Sequence, residues 1–356
     1  MSWFYAFLAF AALIVLHEFG HFIAAKAVGM RVEKFSLFFP PAVVKHQRGE
    51  TSYQIGAIPL GGYVKITGMN PEEEIEPEYL PRAYFMQPVW KRVVTIAAGP
   101  AMNILIAFIL IFILYAMVGT SVSTTNIREV SPDSPAAGKL QPGDRMVSVN
   151  GVRGDAATMV QELGKSKCVG KPTQGCAAGE PVKVTIERDG DVSTFITTPH
   201  YDAKYKRMRI GLTFASVAKT VPPGQALSDT MTGMWNVTRQ TVTLPARIID
   251  AQKRKEIHGT AGSYDLTQKA FKSSTEETIG IIALISLSLA LINLFPFLPL
   301  DGGHIFWALA EKVRGRPIPV PVLERASMVG IALIAVLVVI GFTNDLNSFQ
   351  NGGFGP

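Results

Sequence analysis

Four long apolar segments restrict this chain to a small set of folds. They cover roughly residues 3–25, 93–118, 279–310 and 323–342 of the 356-residue chain. A helix needs about 20 residues to cross the hydrocarbon core of a bilayer, so each segment is long enough. Only 17% of the residues are charged, whereas soluble domains have about 25%. We therefore expect an α-helical polytopic membrane protein with about four transmembrane helices.

The basic residues are concentrated in two stretches between apolar segments. Residues 26–92 contain nine Lys and Arg and residues 312–325 contain four, whereas residues 343–356 contain none. A net charge of +6 could suggest nucleic acid binding, but this distribution follows the positive-inside rule instead. We expect both basic stretches in the cytoplasm, and both termini and residues 119–278 outside. The first segment lacks a basic leader and a small-residue cleavage site, so we expect it to be retained.

A polar pentapeptide, His17-Glu18-Phe19-Gly20-His21, interrupts the first apolar segment. Ionisable side chains at membrane depth are costly and typically mark functional sites. Positions i and i+4 share one face of a helix, so His17 and His21 can bind the same metal ion. Glu18 then stands where it can deprotonate a water molecule. The alternative is a pair of hydrogen-bonded structural histidines, because HExxH by itself is a weak motif.

A second polar group interrupts the third apolar segment, which is too long for one untilted helix. Residues 293–304 read NLFPFLPLDGGH, and two prolines and a Gly-Gly pair break the segment near Asp301. A carboxylate at a broken membrane helix indicates a ligand role. Together with His17 and His21 it would complete a three-ligand catalytic Zn²⁺ site with one open position. His304, one turn further, is interpreted as a structural histidine.

The segments outside the apolar stretches divide into three kinds. Residues 31–66 are rich in aromatic and β-branched residues and predict a small membrane-associated β-hairpin sheet. Residues 122–213 form a globular α+β insert, and its run VSPDSPAAGKLQPGDRMVSVNGV resembles a bacterial PDZ domain. Residues 156–164, which follow this run, predict a helix. Residues 226–256 show helical apolar spacing, which predicts an amphipathic helix on the outer leaflet or against the insert.

We accordingly divide the chain into four regions. The first, 1–121, contains two transmembrane helices, the HEFGH motif and the β-hairpin. The insert, 122–213, is followed by an extracytoplasmic helical linker, 214–278. The last region, 279–356, contains the remaining two transmembrane helices and the LDG motif. Cys168 and Cys176 lie in the insert, where an oxidising compartment favours a disulfide over two free thiols.

The combination of these motifs resembles the site-2 protease family, the intramembrane zinc metalloproteases of the bacterial regulator-of-sigma-E protease type. HEFGH, an AGPAMN stretch at the start of the second segment, the PDZ-like insert and NLFPFLPLDGGH carry the resemblance. It implies His17, His21 and Asp301 as zinc ligands and Glu18 as the general base. It also implies a set of substrate-binding residues in the channel and the membrane-dipping hairpin: Gly99, Asn103, Asn293, Gly61, Gly62 and Tyr63.

The resemblance also implies a function. The expected enzyme is an intramembrane zinc metalloendopeptidase that cuts transmembrane segments of single-pass proteins, such as a trimmed anti-sigma factor or remnant signal peptides. Such cleavage would contribute to regulated intramembrane proteolysis and envelope stress signalling. Its expected partners are these substrates, peptide C-termini at the PDZ domain and membrane lipid, without nucleic acid. Its expected location is the bacterial inner membrane, with the PDZ domain and both termini extracytoplasmic.

Two other classes of function explain fewer of these features. A membrane-anchored PDZ adaptor accounts for the insert but leaves Glu18 and Asp301 unexplained at membrane depth. An ion or metal transporter could use the same ligands, but transporters usually show repeated halves with paired broken helices. Only the third segment of this sequence is broken.

Overall fold

The computed structural model describes residues 2–70, 73–243 and 260–350, and the chain divides into two compact units. The first unit comprises Met1–Met117 and Val221–Pro356, and the second comprises Val118–Thr220. The helices in chain order are α1 (Ser2–Ala27), α2 (Val89–Ile113, continued by a π-helical turn, Leu114–Val118), α3 (Ala156–Gly164), α4 (Pro223–Val242), α5 (Thr260–Ser273), α6 (Thr275–Asn293), α7 (Asp301–Arg314) and α8 (Val320–Gln350). Two short 3₁₀ turns, Leu80–Arg82 and Tyr84–Met86, precede α2.

Four helices of the first unit are long and apolar enough to cross a membrane. Within the described residues these are α1, α2, α6 and most of α8. They correspond to the four predicted apolar segments. The amphipathic helix predicted over 226–256 is present as α4, and its residues 244–256 lie outside the described part of the chain.

The third apolar segment is broken where the sequence predicts. Helix α6 ends at Asn293, and α7 begins at Asp301. The connecting residues contain Pro296 and Pro299, which cannot donate a backbone hydrogen bond to a continuing helix. Helix α7 then packs closely against this connection, since a Cβ on Gly302 would lie 2.1 Å from the Leu294 carbonyl oxygen. The break therefore determines the position of Asp301 at the start of α7.

The predicted hairpin consists of two long strands, β1 (Val32–Arg48) and β2 (Thr51–Ile66), in an antiparallel pair. Shifts in register place Phe35 opposite both Tyr53 and Val64. The first part of β1 thus lies between two stretches of β2. Among the described strands, residues 62–66 pair only with this part of β1, so they form an edge strand.

The hairpin is attached to the helices by apolar packing and by ion pairs. One buried cluster joins α1, the hairpin and α2, and comprises Ala25, Met30, Val32, Ile66, Tyr84 and Ile96. At the hairpin turn, Glu50 accepts hydrogen bonds from Lys26 at 2.6 Å and from Arg82 at 2.7 Å. These contacts hold the edge strand beside α1.

The second unit contains one five-stranded sheet, one two-stranded sheet and helix α3. Its strands are β3 (Thr120–Val130), β4 (Arg145–Val149), β5 (Val182–Arg188), β6 (Asp191–Thr197), β7 (His200–Asp202), β8 (Arg207–Arg209) and β9 (Leu212–Lys219). The large sheet has the order β6-β5-β4-β3-β9, and β7 pairs with β8. Its buried core consists of Ile127, Ala136, Leu140, Met146, Val149, Met159, Leu163, Val182, Val184, Ile186 and Ile210.

The second unit is wider than the predicted 122–213 at both ends. Strand β3 begins at Thr120 and pairs there with Lys219, the last residue of β9, so both strands belong to the unit. The helix predicted at 156–164 is present as α3, whose first turn is capped by the Asp155 side chain. Cys168 and Cys176 form a disulfide, with their Cα atoms 5.8 Å apart.

Candidate metal centre

Three potential ligand atoms from two distant parts of the sequence meet in the first unit. His17 and His21 are one turn apart on α1, and Asp301 is the first residue of α7. The Asp301 Oδ2 atom lies 3.2 Å from His17 Nε2 and 3.4 Å from His21 Nε2. The two Nε2 atoms are 3.3 Å apart. Within the described residues these three form the only group of at least three His, Cys or acidic side chains that lie close enough together to bind one metal ion.

The spacing of these atoms fits a zinc ion. Bonds of about 2.0–2.2 Å at tetrahedral angles would separate neighbouring ligand atoms by about 3.3–3.6 Å. The three observed separations, 3.2, 3.3 and 3.4 Å, lie close to that range. Two imidazole nitrogens and one carboxylate oxygen are also donors that zinc prefers. Three protein ligands leave a fourth position for water or substrate, as in catalytic zinc sites.

Helix α2 orients the His21 ring. The Nδ1 atom of His21 donates to the Thr95 carbonyl oxygen at 2.9 Å, which directs Nε2 toward Asp301. A Cβ on Gly99 would lie 2.2 Å from His21 Nε2, so only glycine permits this close approach. A Cβ on Gly20 would lie 2.3 Å from the Ala98 carbonyl oxygen. The contact between α1 and α2 thus depends on two glycines.

Glu18 faces the hairpin. A Cβ on Gly62 would lie 3.1 Å from the Glu18 Cγ atom, and Glu18 and Val64 line the same cavity. Because Gly62 and Val64 belong to the edge strand, Glu18 lies beside that strand and next to the candidate ligands. His17 has a further neighbour on α6, since Asn293 Nδ2 lies 3.4 Å from His17 Nε2.

A cavity of about 470 Å³ opens beside these residues. Its lining combines the three candidate ligands and Glu18 with edge-strand and mainly apolar residues: Ile14, Phe39, Gly61, Gly62, Tyr63, Val64, Ile66, Met69, Ile96, Leu289, Asn293, Pro299, Leu300 and His304. The cavity therefore offers an apolar surface and an exposed backbone edge next to one polar centre.

The predicted substrate-binding residues lie in different environments. Gly61, Gly62, Tyr63 and Asn293 line the cavity. Gly99 lies against the His21 ring instead. Asn103 is fully buried, and its backbone carbonyl oxygen accepts a hydrogen bond from the Ser286 hydroxyl. Its side-chain amide has no hydrogen-bond partner within the described residues. Their roles in substrate binding stay predictions.

Some residues that line the site are not predicted from the sequence to belong to it. His304, interpreted from the sequence as a structural histidine, lines the cavity together with Asp301. Phe39 also lines the cavity and stacks on Tyr63, with ring centroids 6.2 Å apart. Thr95 contributes a backbone carbonyl, for which no motif exists. The spacing of His304 one turn after Asp301 was the one available signal.

The second unit contains a groove of about 940 Å³ between α3 and the start of β3. Ser121, Val122 and Ser123 of β3 form one side, and Ala156, Val160 and other residues of α3 form the other. Lys165 and Arg207 add positive charge to the lining.

Comparisons with known proteins find similarity to peptidases over nearly the whole chain. The model of peptidase family M50 matches residues 5–337. Three relatives named as zinc metalloproteases align over nearly the whole chain. Protein mll0638 of Mesorhizobium japonicum is 31% identical, and the alignment covers 94% of this chain and 95% of that protein. Protein Cj1068 of Campylobacter jejuni is 28% identical over 96% of this chain and 92% of that protein. Protein CPE1693 of Clostridium perfringens is 30% identical over 96% of this chain and 97% of that protein.

One solved structure is similar to a smaller part of the chain. The PDZ domain of the SdrC-like protein from Listeria monocytogenes covers 27% of this chain and 92% of its own, at 18% identity and a TM-score of 0.22. A score of this size identifies no fold.

Proposed function

Because this chain belongs to peptidase family M50, the site-2 proteases, we propose that it cuts peptide bonds within transmembrane segments of other proteins. The chain is a zinc metalloprotease and an integral membrane protein. We assign its zinc site to His17, His21 and Asp301, on the triangle of ligand atoms with sides of 3.2–3.4 Å. When bound, zinc supplies a Lewis acid that polarises the substrate carbonyl and lowers the pKa of water toward about 7.

Glu18 is proposed as the general base. Its neighbours on α1 are the candidate ligands, and it lines the cavity beside Gly62 of the edge strand. A carboxylate in this place accepts a proton from the attacking water and transfers it to the leaving amine. Asn293, which lines the cavity, is the better of the two predicted asparagines to donate to a developing oxyanion.

The edge strand is proposed to hold the substrate. The backbone carbonyl groups of a transmembrane helix accept hydrogen bonds within the helix, so the helix must unwind before water can attack one of these carbonyl carbons. An unwound segment can then pair with residues 62–66, which have one unpaired edge among the described strands. This pairing would place a substrate carbonyl next to Glu18 and the three ligands.

The finer features of the function are inferred from the sequence resemblance. We propose single-pass membrane proteins as substrates, such as an anti-sigma factor already trimmed outside the membrane, or remnant signal peptides. Cleavage of these would contribute to regulated intramembrane proteolysis and envelope stress signalling. We further propose a location in the bacterial inner membrane, with the second unit and both termini extracytoplasmic. The second unit would be a PDZ domain that binds peptide C-termini or excludes bulky substrates.

The decisive experiment separates metal binding from turnover. In purified full-length protein, Glu18→Gln should retain zinc and lower cleavage of a transmembrane substrate by about 10²–10⁴-fold, as loss of a general base does. Asp301→Ala should lose zinc and cleavage together. Glu324→Gln, an exposed carboxylate on α8, is the matched control and should retain both.

Three outcomes would contradict this assignment. Full zinc retention by Asp301→Ala would remove Asp301 from the ligand set. Unchanged cleavage by Glu18→Gln would exclude Glu18 as the base, and an adaptor would show no loss in any variant. A transporter would lose ion flux and show no peptide-bond cleavage in the wild type.

A further inference from the structure

Arg92 of α2 and Glu311 of α7 form a bidentate ion pair. One Nη atom of Arg92 donates to Glu311 Oε2 at 3.0 Å, and the other donates to Oε1 at 2.7 Å. The Arg92 side chain is 9% exposed and the Glu311 side chain is 24% exposed. Two parallel hydrogen bonds between planar groups restrict both distance and orientation more than a single contact does. The pair therefore fixes how α7 lies against α2.

The pair holds the far end of the helix that begins with Asp301. Glu311 follows Asp301 by ten residues, which is about 15 Å along a helix. At the near end, Gly302 and Gly303 pack under the α6–α7 connection, where a Cβ on Gly303 would lie 2.4 Å from the Leu298 nitrogen. A helix of 14 residues held at both ends cannot rotate about its axis or tilt freely. The side chain of Asp301, its first residue, is therefore held next to His17 and His21.

The same stretch of α2 also holds the other ligand-bearing helix. Thr95, three residues after Arg92, accepts the hydrogen bond from His21 on α1. Gly99, one turn later, provides the space for the His21 ring. Ile96, which lies between Thr95 and Gly99 in the sequence, belongs to the buried cluster against which Ile305 of α7 packs. Residues 92–99 of α2 therefore contact both helices that carry candidate ligands.

We infer that residues 92–99 of α2 act as a template for the metal centre, and that Arg92 and Glu311 are positioning residues for Asp301. This inference rests on the proposed zinc site. Neither side chain lines the cavity, so the pair acts on the zinc ligands only through the orientation of α7. Residues that orient metal ligands typically change metal affinity or activity by about 10–100-fold when they are replaced.

The test measures zinc affinity of the purified, metal-free, full-length protein by competition with a chelator. Arg92→Gln and Glu311→Gln should each raise the zinc dissociation constant by about 10–100-fold. Arg92→Lys should recover only part of the affinity, because an ammonium cannot make the bidentate contact. The exchanged pair Arg92→Glu with Glu311→Arg should recover most of it. Thermal stability of the metal-free protein is measured in parallel.

The matched control is another bidentate pair, Arg188 with Asp144, in the second unit. Arg188→Gln should leave zinc affinity unchanged. A purely structural role predicts that Arg92→Gln lowers the melting temperature while zinc affinity stays at the wild-type value, and this result would overturn the inference. If Arg92→Gln fails to fold, Glu311→Gln decides by the same criterion.

Failure of the proposed zinc site gives a different result. In that case Asp301→Ala binds zinc as tightly as the wild type. If Asp301→Ala loses affinity while Arg92→Gln and Glu311→Gln do not, the zinc site stands and the positioning role is wrong.

Discussion

At the scale of single residues, the candidate centre depends on two glycines as well as on the side chains of the candidate ligands. Gly99 and Gly20 carry no chemistry, yet each allows a contact between α1 and α2 that any Cβ would block. The hydrogen bond from His21 to Thr95 can form only at this separation. The need for glycine at position 99 is therefore explained by the position of the His21 ring. No contact with substrate is needed to account for it.

We predict that Gly99→Ala displaces the His21 ring and weakens zinc binding by about 10–100-fold, a loss similar to that caused by other misoriented ligands. Zinc content after dialysis and chelator competition would measure this change. Gly280→Ala is the matched control, because the nearest atom to a Cβ at that α6 position is 3.9 Å away. Wild-type zinc affinity in Gly99→Ala would contradict the assigned role of Gly99.

At the scale of secondary-structure elements, the hairpin is held to the helices at its turn. Glu50 lies between β1 and β2 and binds Arg82 and Lys26, the latter near the end of α1. The Arg82 guanidinium, with a smaller contribution from Lys26, lowers the pKa of Glu50 from 4.5 to about 2, although burial acts in the opposite direction. The turn is thus fixed to the same helix that carries His17 and His21.

The Glu50 contacts should make part of the stability of the protein dependent on pH. A folded-state pKa below the unfolded value stabilises the protein fully above pH 4.5, and this contribution is lost as pH falls toward about 2. We expect Glu50→Gln to lower the free energy of unfolding at pH 7 by about 1 kcal/mol, since the pair is partly exposed. The difference in melting temperature between Glu50→Gln and wild type should shrink as pH falls from 4.5 to about 2.

The control for this experiment is Glu78→Gln, in the exposed loop that follows the hairpin. It should follow the wild-type melting curve at each pH. A difference between Glu50→Gln and wild type that stays constant down to pH 2 would show that the charge of Glu50 does not contribute.

At the scale of the whole molecule, the sequence predicts the elements better than their contacts. The four apolar helices, the break before Asp301 and α3 follow from local patterns of hydropathy, proline and spacing. The position of β1 between two stretches of β2 does not, because it depends on register shifts between residues far apart. The ion pair of Arg92 with Glu311 joins residues 219 positions apart, and no local pattern specifies it. Likewise, the second unit extends beyond 122–213 because its terminal strands pair with each other.

The second unit should be removable without loss of the chemistry. Its ends are adjacent, since Thr120 pairs with Lys219, and all candidate catalytic residues lie in the first unit. We predict that replacing residues 120–219 by a short linker preserves zinc binding and cleavage of an already trimmed substrate. Cleavage of a substrate that retains its folded ectodomain should rise, which quantitative immunoblotting of both substrates would measure. A folded, zinc-bound deletion protein that cuts neither substrate would show instead that the unit delivers the substrate or holds the transmembrane helices together.

The distance in sequence between the candidate ligands has a consequence for biosynthesis. His17 and Asp301 are 284 residues apart, so a growing chain holds only two of the three candidate ligands until Asp301 has been made. At about 5–20 residues per second, the third is made roughly 15–60 seconds after the first. During this interval the candidate metal centre lacks one of its three side chains. The order of the sequence thus delays completion of the candidate centre until Asp301 has been made.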